Sequence, residues 1–69
     1  MSIWFANHRQ AWIAETIRIF GYIQRQHLIR KFGISMPQAS MDISRYQIEH
    51  PHDLRYDASR KCYVYTKYK

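Results

Sequence analysis

Residues 25–46, RQHLIRKFGISMPQASMDISRY, contain two helical patterns separated by a short turn. The first pattern predicts a helix over 25–32, because apolar residues recur on one face. Gly33 then suits the left-handed conformation that commonly ends a helix. The next helix signal follows within three residues, so the two helices are expected to pack directly against each other.

The second pattern predicts a helix over 36–49. Ser35 is a preferred N-cap residue, and Gln38 three positions later completes a capping-box pattern. Pro37 lies in the first turn, where its missing N–H is tolerated. At about 100° per residue the inward face is centred on Ala39, Ile43 and Tyr46. A small inward residue at position 39 lets the two helices cross closely, and this arrangement is a helix-turn-helix.

The flanking segments extend this motif on both sides. Asn7 is a candidate N-cap with Gln10 as its capping partner, and an apolar arc at helical spacing predicts a first helix over 7–20. After the third helix the period changes, and β-forming residues around a turn-like segment predict a hairpin over 54–65. The expected fold class is therefore α+β: a single winged helix-turn-helix domain over residues 1–69, with three helices and a C-terminal β-hairpin wing.

Composition limits the classes of function. The chain has 69 residues, with eleven Lys and Arg against five Asp and Glu and a formal net charge of +6. A chain this short leaves little room for a deep substrate cleft, and its basic balance favours polyanionic partners. No apolar run reaches the roughly 20 residues of a membrane span, and no signal-peptide pattern opens the chain. A single cysteine, Cys62, fits a reducing compartment. We therefore expect a cytoplasmic, nucleoid-associated protein with no membrane partner.

The outward face of the 36–49 helix is small, polar and free of acids, which suits entry into a DNA major groove. Gln pairs with adenine, Arg pairs with guanine, and Met or Pro can touch a thymine methyl group. The residues predicted to read bases are Pro37, Gln38, Ser40, Met41, Ser44 and Arg45. An ordinary solvated helix face is the alternative interpretation. Asp42, on the flank, is expected to pair with a basic residue of the chain rather than with a base.

A second set of residues is predicted to hold the phosphate backbone. The hairpin tip carries two cations where a wing would meet DNA, and other polar residues lie at the starts of the second and third helices. These predicted phosphate contacts are Arg25, Gln26, Ser35, Arg60 and Lys61. Each alone is more often a solvated side chain, so the prediction depends on their agreement with the fold.

Two segments of the chain resemble known DNA-binding families. Phe32-Gly33-Ile34-Ser35 followed by Asp42-Ile43 resembles the winged helix-turn-helix of DeoR-type repressors. The longer runs FGISMPQAS (32–40) and DISRY (42–46) are closer to the N-terminal domain of WYL-domain transcriptional repressors that control bacterial phage-defence loci. LRYD (54–57), a basic turn and Tyr63 resemble the wing of those proteins.

This resemblance covers Trp12 to Tyr65. It implies a homodimer on an inverted repeat of double-stranded DNA, with the recognition helix in the major groove and the wing on the backbone. The sequence carries no counterpart of the family's WYL region. Both a stand-alone regulator and one domain of a longer protein fit what the sequence contains.

The apolar N-terminal region has two interpretations. Trp4, Phe5, Trp12 and Ile19 either close the small core locally or form the homodimer interface that a half-site reader needs.

The residues give little support for catalysis, metal binding or binding of single-stranded nucleic acid. There is no phosphate-binding glycine loop or nucleophile elbow, so we expect no enzyme activity, no catalytic residues and no cofactor. His50-Pro51-His52-Asp53 with Cys62 lacks the second ligand pair of a usual zinc site, so no metal is predicted. Tyrosines suggest stacking on single-stranded nucleic acid, but packing explains the hairpin tyrosines equally well.

The sequence thus predicts a sequence-specific, double-stranded DNA-binding transcriptional regulator, most simply a repressor. The alternative is a winged-helix protein-interaction module, for example a small phage or mobile-element protein that blocks a host complex.

Overall fold

A computed structural model describes residues 3–68 of the chain; the ends of the predicted domain, Met1, Ser2 and Lys69, lie outside the described residues. The elements in chain order are α1 (Ile3–Phe20), β1 (Tyr22–Ile23), α2 (Arg25–Phe32), α3 (Met36–Glu49), β2 (Leu54–Asp57) and β3 (Cys62–Tyr65). The strands form one antiparallel sheet in the order β1-β3-β2. Three helices with a small antiparallel sheet confirm the predicted α+β winged helix-turn-helix fold.

The start of α1 corrects the sequence prediction. The helix begins at Ile3 and not at Asn7. Neither capping side chain serves as a cap: Asn7 Oδ1 accepts a hydrogen bond from Arg45 Nη2 at 3.2 Å, and Gln10 Nε2 donates to the backbone carbonyl of Asp42 at 2.7 Å. Because both side chains bind α3, and because no Gly or Pro precedes Asn7 to break a helix, α1 extends one turn further.

The turn between α2 and α3 follows from two residues. Gly33 takes a left-handed conformation, with φ of 67°, and its N–H donates to the carbonyl of Ile29 at 2.8 Å. Ser35 Oγ accepts a hydrogen bond from the Gln38 backbone N–H at 3.2 Å and so caps α3. The side chain of Gln38 does not complete the expected capping box, because its Nε2 donates to Asp42 Oδ1 at 3.1 Å.

The core lies where the three helices meet the sheet. Its buried residues come from every helix and from two strands: Ile13, Ile17, Ile23, Leu28, Ala39, Ile43, Tyr46 and Leu54. The inward face predicted for α3 is therefore correct. Each fully buried isoleucine contributes about 1.5–3 kcal/mol relative to exposure, so a few such side chains dominate the stability of a core this small.

The hairpin is tied to the rest of the fold at both ends. β1 pairs with β3, and the N–H of Tyr65 donates to the carbonyl of Gly21 at 2.8 Å. At the end of α3, the Tyr46 hydroxyl donates to Asp53 Oδ2 at 3.0 Å, while Lys67 Nζ lies 3.1 Å from Asp53 Oδ1. Burial and the bond to Asp53 raise the pKa of Tyr46 to about 12, so the hydroxyl keeps its proton and remains a donor. These contacts fix the wing relative to α3.

Candidate nucleic-acid interface

The outward face of α3 is accessible. Pro37, Met41, Ser44 and Arg45 are exposed, and Gln38 and Ser40 are half-buried. Ile48 lies on the same face and is 79% exposed, although the sequence analysis ended its set at Arg45. Ile48 continues the helical stripe of positions 37, 41, 44 and 48. Extending the helical repeat of the predicted base-reading set by one turn would have included it.

Arg45 is held on the flank of this face that borders α1. Its Nε lies 3.1 Å from Glu49 Oε2, and its Nη2 donates to Asn7 Oδ1. The Arg45 and Glu49 side chains are about half exposed, and exposed pairs of this kind are worth at most about 1 kcal/mol. The guanidinium can therefore leave these partners at low cost and reach outward.

Gln38 and Ser40 already have protein partners. The Gln38 amide is directed toward Asp42, and Ser40 Oγ accepts a hydrogen bond from Arg25 Nη1 at 3.3 Å. The second contact brings a predicted phosphate-binding residue on α2 beside a predicted base-reading residue on α3. Gln26 is exposed next to Arg25 on the first turn of α2. The start of α2 and the first two turns of α3 thus meet along one polar edge.

A buried ion pair fixes α3 against α1. Arg9 Nε lies 2.6 Å from Asp42 Oδ2, Arg9 Nη2 lies 3.2 Å from Asp42 Oδ1, and the two residues are 3% and 5% exposed. The prediction that Asp42 pairs with a basic residue of the chain is correct. Arg9 itself was not predicted from the sequence, although it stands four residues before Ile13 on the buried stripe of α1, which is a position where a charge requires a partner.

The wing tip is basic and stiffened. Arg60 and Lys61 are exposed in the turn between β2 and β3. Asp57 Oδ1 accepts hydrogen bonds from Ser59 Oγ at 2.8 Å and from the backbone N–H groups of Ser59 and Arg60. The Ser59 hydroxyl and the Arg60 N–H lower the pKa of Asp57. Asp57 therefore stays ionised as an acceptor within the turn and leaves both cations facing solvent.

Comparison with known proteins follows this geometry. Residues 7–68 match the family described as the BrxR transcriptional regulator winged helix-turn-helix domain. The chain belongs to this family. The match confirms the resemblance drawn from the sequence, and it covers the polar edge of the helix starts, the recognition helix and the wing. The family is one of transcriptional regulators and not of enzymes.

Curated relatives of the chain carry names that agree with this family. The chain is 42% identical over 64 residues to the DNA-binding transcriptional repressor CapW of Escherichia coli (strain KTE188) and 38% identical over 64 residues to CapW of Pseudomonas aeruginosa. It is 36% identical over 63 residues to CapW of Stenotrophomonas maltophilia. The alignments cover 91% or more of this chain but 21% of each relative. The chain thus spans about a fifth of the length of the curated relatives it matches.

The four residues considered for a dimer interface lie along one face of α1. Trp4 is 66% exposed, Phe5 50% and Ile19 55%, whereas Trp12 is half-buried with its ring centroid 5.6 Å from that of Phe32. At 1.5 Å per residue the stripe from position 4 to position 19 is about 22 Å long. Trp12 therefore closes the core locally, and the other three present apolar surface that the described chain leaves uncovered.

Neither a metal-binding cluster nor a membrane-spanning helix occurs among the described residues. Within residues 3–68 there is no group of three or more His, Cys, Asp or Glu side chains placed to hold a metal ion. No helix in that range has both the length and the apolar content needed to cross a bilayer.

Proposed function

We propose that the chain binds double-stranded DNA in a sequence-specific manner and represses transcription by occluding a promoter. The observation that carries this proposal is the orientation of α3: a capped helix, fixed by a buried ion pair, turns its predicted base-reading face outward in a chain of net charge +6, and the exposed acid on its flank, Glu49, is paired with Arg45. Its relatives bear the name DNA-binding transcriptional repressor. The chain acts by binding and not by catalysis, and its site of action is the cytoplasmic nucleoid.

The proposed readers of the bases are the outward side chains of α3. Pro37 and Met41 supply apolar contact for a thymine methyl group, and Ser40 and Ser44 supply hydroxyls that can donate or accept. Arg45 supplies the bidentate contact to guanine after it leaves Glu49. Gln38 contributes through its carbonyl oxygen while its N–H stays on Asp42.

The proposed phosphate contacts surround that face. Arg25 and Gln26 at the start of α2 and Ser35 at the start of α3 lie where helix N-termini favour an anion. Arg60 and Lys61 on the wing add two further charges. Such contacts set register and affinity without reading sequence.

We further propose that two copies of the chain pair with each other through the exposed stripe of α1. The pair then binds an inverted repeat in DNA. Trp4, Phe5 and Ile19 are large apolar side chains at half exposure or more, and such patches on a small domain mark interaction surfaces. An isologous pairing of this stripe buries it in both copies and presents two α3 helices for two half-sites.

The decisive experiment is selection from a random duplex library, followed by sequencing, at near-physiological salt. An enriched inverted repeat with half-sites about one helical turn apart supports a dimeric operator reader. Weak retention without a motif, lost as salt is added, would contradict sequence-specific binding.

Two matched variants test the assignment of roles on the selected site. Arg45→Ala is expected to lower discrimination at one base position by about tenfold, because a bidentate contact is lost. Lys61→Ala is expected to weaken specific and random DNA alike and to reduce the salt slope by about one ion. Equal losses on both DNAs from Arg45→Ala would remove Arg45 from the base-reading set.

One observation favours the second candidate, a protein-interaction module. Two apolar side chains of the outward face of α3 are exposed: Ile48 is 79% accessible and Met41 is 65% accessible. A protein partner would bury both residues. Co-purification of a stoichiometric protein together with a motif-free DNA selection would establish this function in place of DNA reading.

A further inference from the structure

A groove lies between α1 and α2, formed by residues that the DNA-binding proposal does not use. Its volume is about 440 Å³. Three aromatic side chains, Trp12, Phe20 and Tyr22, supply its apolar surface, and three basic side chains of α2 line it as well: His27, Arg30 and Lys31. Pockets that hold small organic ligands have volumes of roughly 300–1,000 Å³ and a mainly apolar lining with a few polar groups.

The apolar part of the groove is open to solvent. Phe20 is 62% exposed at the C-terminal end of α1, although phenylalanine side chains are usually buried in the protein core. Tyr22 packs against His27 with ring centroids 5.7 Å apart. The aromatic surface is therefore organised by the protein and available to a planar ligand.

The polar side chains that line the groove present hydrogen-bond donors to it. His27 Nδ1 accepts a hydrogen bond from the Gln24 backbone N–H at 3.1 Å, so the neutral ring carries its proton on Nε2. Burial, and then the charge of Arg30, lower the pKa of His27 and keep the ring neutral near pH 7. Within residues 3–68, Arg30 and Lys31 form no ion pair, and no carboxylate lines the groove.

We propose that this groove binds a small aromatic carboxylate, with its ring against Phe20 and Tyr22 and its carboxylate facing Arg30 and Lys31. Charge complementarity argues against a second copy of the chain as the occupant. An isologous contact at this groove would bring the Arg30 and Lys31 of two copies together, and these cations would repel each other. The site is separate from the outward face of α3, so its test does not depend on DNA binding.

The experiment is a titration of the ¹⁵N-labelled 69-residue chain with 2-naphthylacetate, followed by ¹H–¹⁵N correlation spectra without DNA. The matched probe is 2-naphthylacetamide, which keeps the ring and removes the charge. We expect saturable shifts at the amides of Thr16, Tyr22 and His27. The carboxamide is expected to bind about 25-fold more weakly, because it loses two exposed charge contacts, with Arg30 and with Lys31, of about fivefold each.

Variants separate the two halves of the site. Arg30→Gln and Lys31→Gln change exposed side chains, so the fold is retained, and each is expected to weaken the carboxylate about fivefold without affecting the carboxamide. Phe20→Ala is expected to weaken both probes. Arg55→Gln removes an exposed cation of the wing as a control and is expected to leave both affinities unchanged.

Three outcomes would overturn the proposal. The first is the absence of saturable shifts up to about 10 mM probe, which sets affinity below the millimolar range of a weak specific ligand. The second is equal affinity of the wild type for the two probes, or a carboxylate affinity that neither Arg30→Gln nor Lys31→Gln changes. The third is loss of bound probe as the protein concentration is raised, because a second copy would then fill the groove in place of the probe.

Discussion

Replacing Asp42 with alanine removes the carboxylate that lies against the Arg9 guanidinium at 2.6 Å. Both residues are at least nine-tenths buried, so the Arg9 charge would remain inside the fold without this counter-ion. Breaking a buried pair in this way costs about 3–5 kcal/mol. Chains of this length have a total free energy of unfolding of about 3–10 kcal/mol, so the loss is a large fraction of the stability.

The double variant Arg9→Met/Asp42→Ala is expected to be more stable than Asp42→Ala alone. The reason is that removal of both charges leaves no buried ion that has lost its counter-ion, and replacement of a buried pair by apolar side chains is often close to neutral. Asp42→Asn keeps an acceptor at Oδ1 for the Gln38 amide and is expected to lose less than Asp42→Ala. It therefore reports on the charge in a chain that remains largely folded.

The assay is urea unfolding followed by far-ultraviolet circular dichroism for the wild type, Arg9→Met, Asp42→Ala and the double variant. The free energies form a double-mutant cycle, and an unchanged m-value shows that each variant unfolds from the same compact state. A loss below about 1 kcal/mol for Asp42→Ala would refute the reasoning, since that is the range of exposed pairs. Strict additivity of the two single losses would refute it equally.

Three further predictions concern the local structure. Ser35→Ala removes the cap on the Gln38 N–H and is expected to lower the free energy of unfolding by about 1 kcal/mol, measured in urea with Ser35→Asp as the variant that retains a cap. Gly21→Ala is expected to cost more than about 1 kcal/mol, because Gly21 has φ of 84° and an added Cβ would lie 2.7 Å from the Tyr68 ring; a thermal melt equal to that of the wild type would contradict this. The pKa of Asp57 is lower in the folded chain than its ordinary value of 3.8. The ionised carboxylate therefore contributes fully to the free energy of unfolding above pH 3.8, and this contribution is lost as the pH falls through the pKa of the folded state. Asp57→Ala is therefore expected to reduce the loss of stability as the pH falls below about 4, and an unchanged acid profile would contradict it.

Local signals were sufficient for α2, α3 and the hairpin. The start of α3 depends on Ser35, and its end depends on Pro51, which disfavours helical geometry in the residue before it; both act within a few residues of where they stand. The start of α1 is different, because Asn7 and Gln10 form a capping pattern but bind Arg45 and Asp42 instead. A tertiary partner thirty or more residues away outcompetes a local cap, and no local rule describes that competition.

The candidate interface, like the fold, was predictable from the sequence only in part. Helical periodicity identifies the outward side of α3, but it does not show which side chains are already bound within the chain. Gln38 is held by Asp42, and Arg25 is held by Ser40. Periodicity also treats a charge on a buried stripe as an irregularity, which is why Arg9 was missed. The pairing of β1 with β3 was beyond the sequence for a related reason: two residues carry too little pattern to specify a distant partner strand.

The polar ties between α1 and α3 bear directly on how the chain would read DNA. Ala39 lets α3 approach its neighbours closely, but a small apolar contact resists rotation of a helix only weakly. The Arg9–Asp42 pair is directional, since a guanidinium and a carboxylate bond through fixed lone-pair and N–H directions, and Gln10 adds a second bond to the backbone of Asp42. A rotation of α3 by one residue, about 100°, would bring the buried Asp42 and Tyr46 to the positions of Met41 and Arg45 on the outward face. The buried charges therefore give α3 a defined orientation rather than extra stability, and recognition by its outer face depends on residues of α1 that lie in the protein interior.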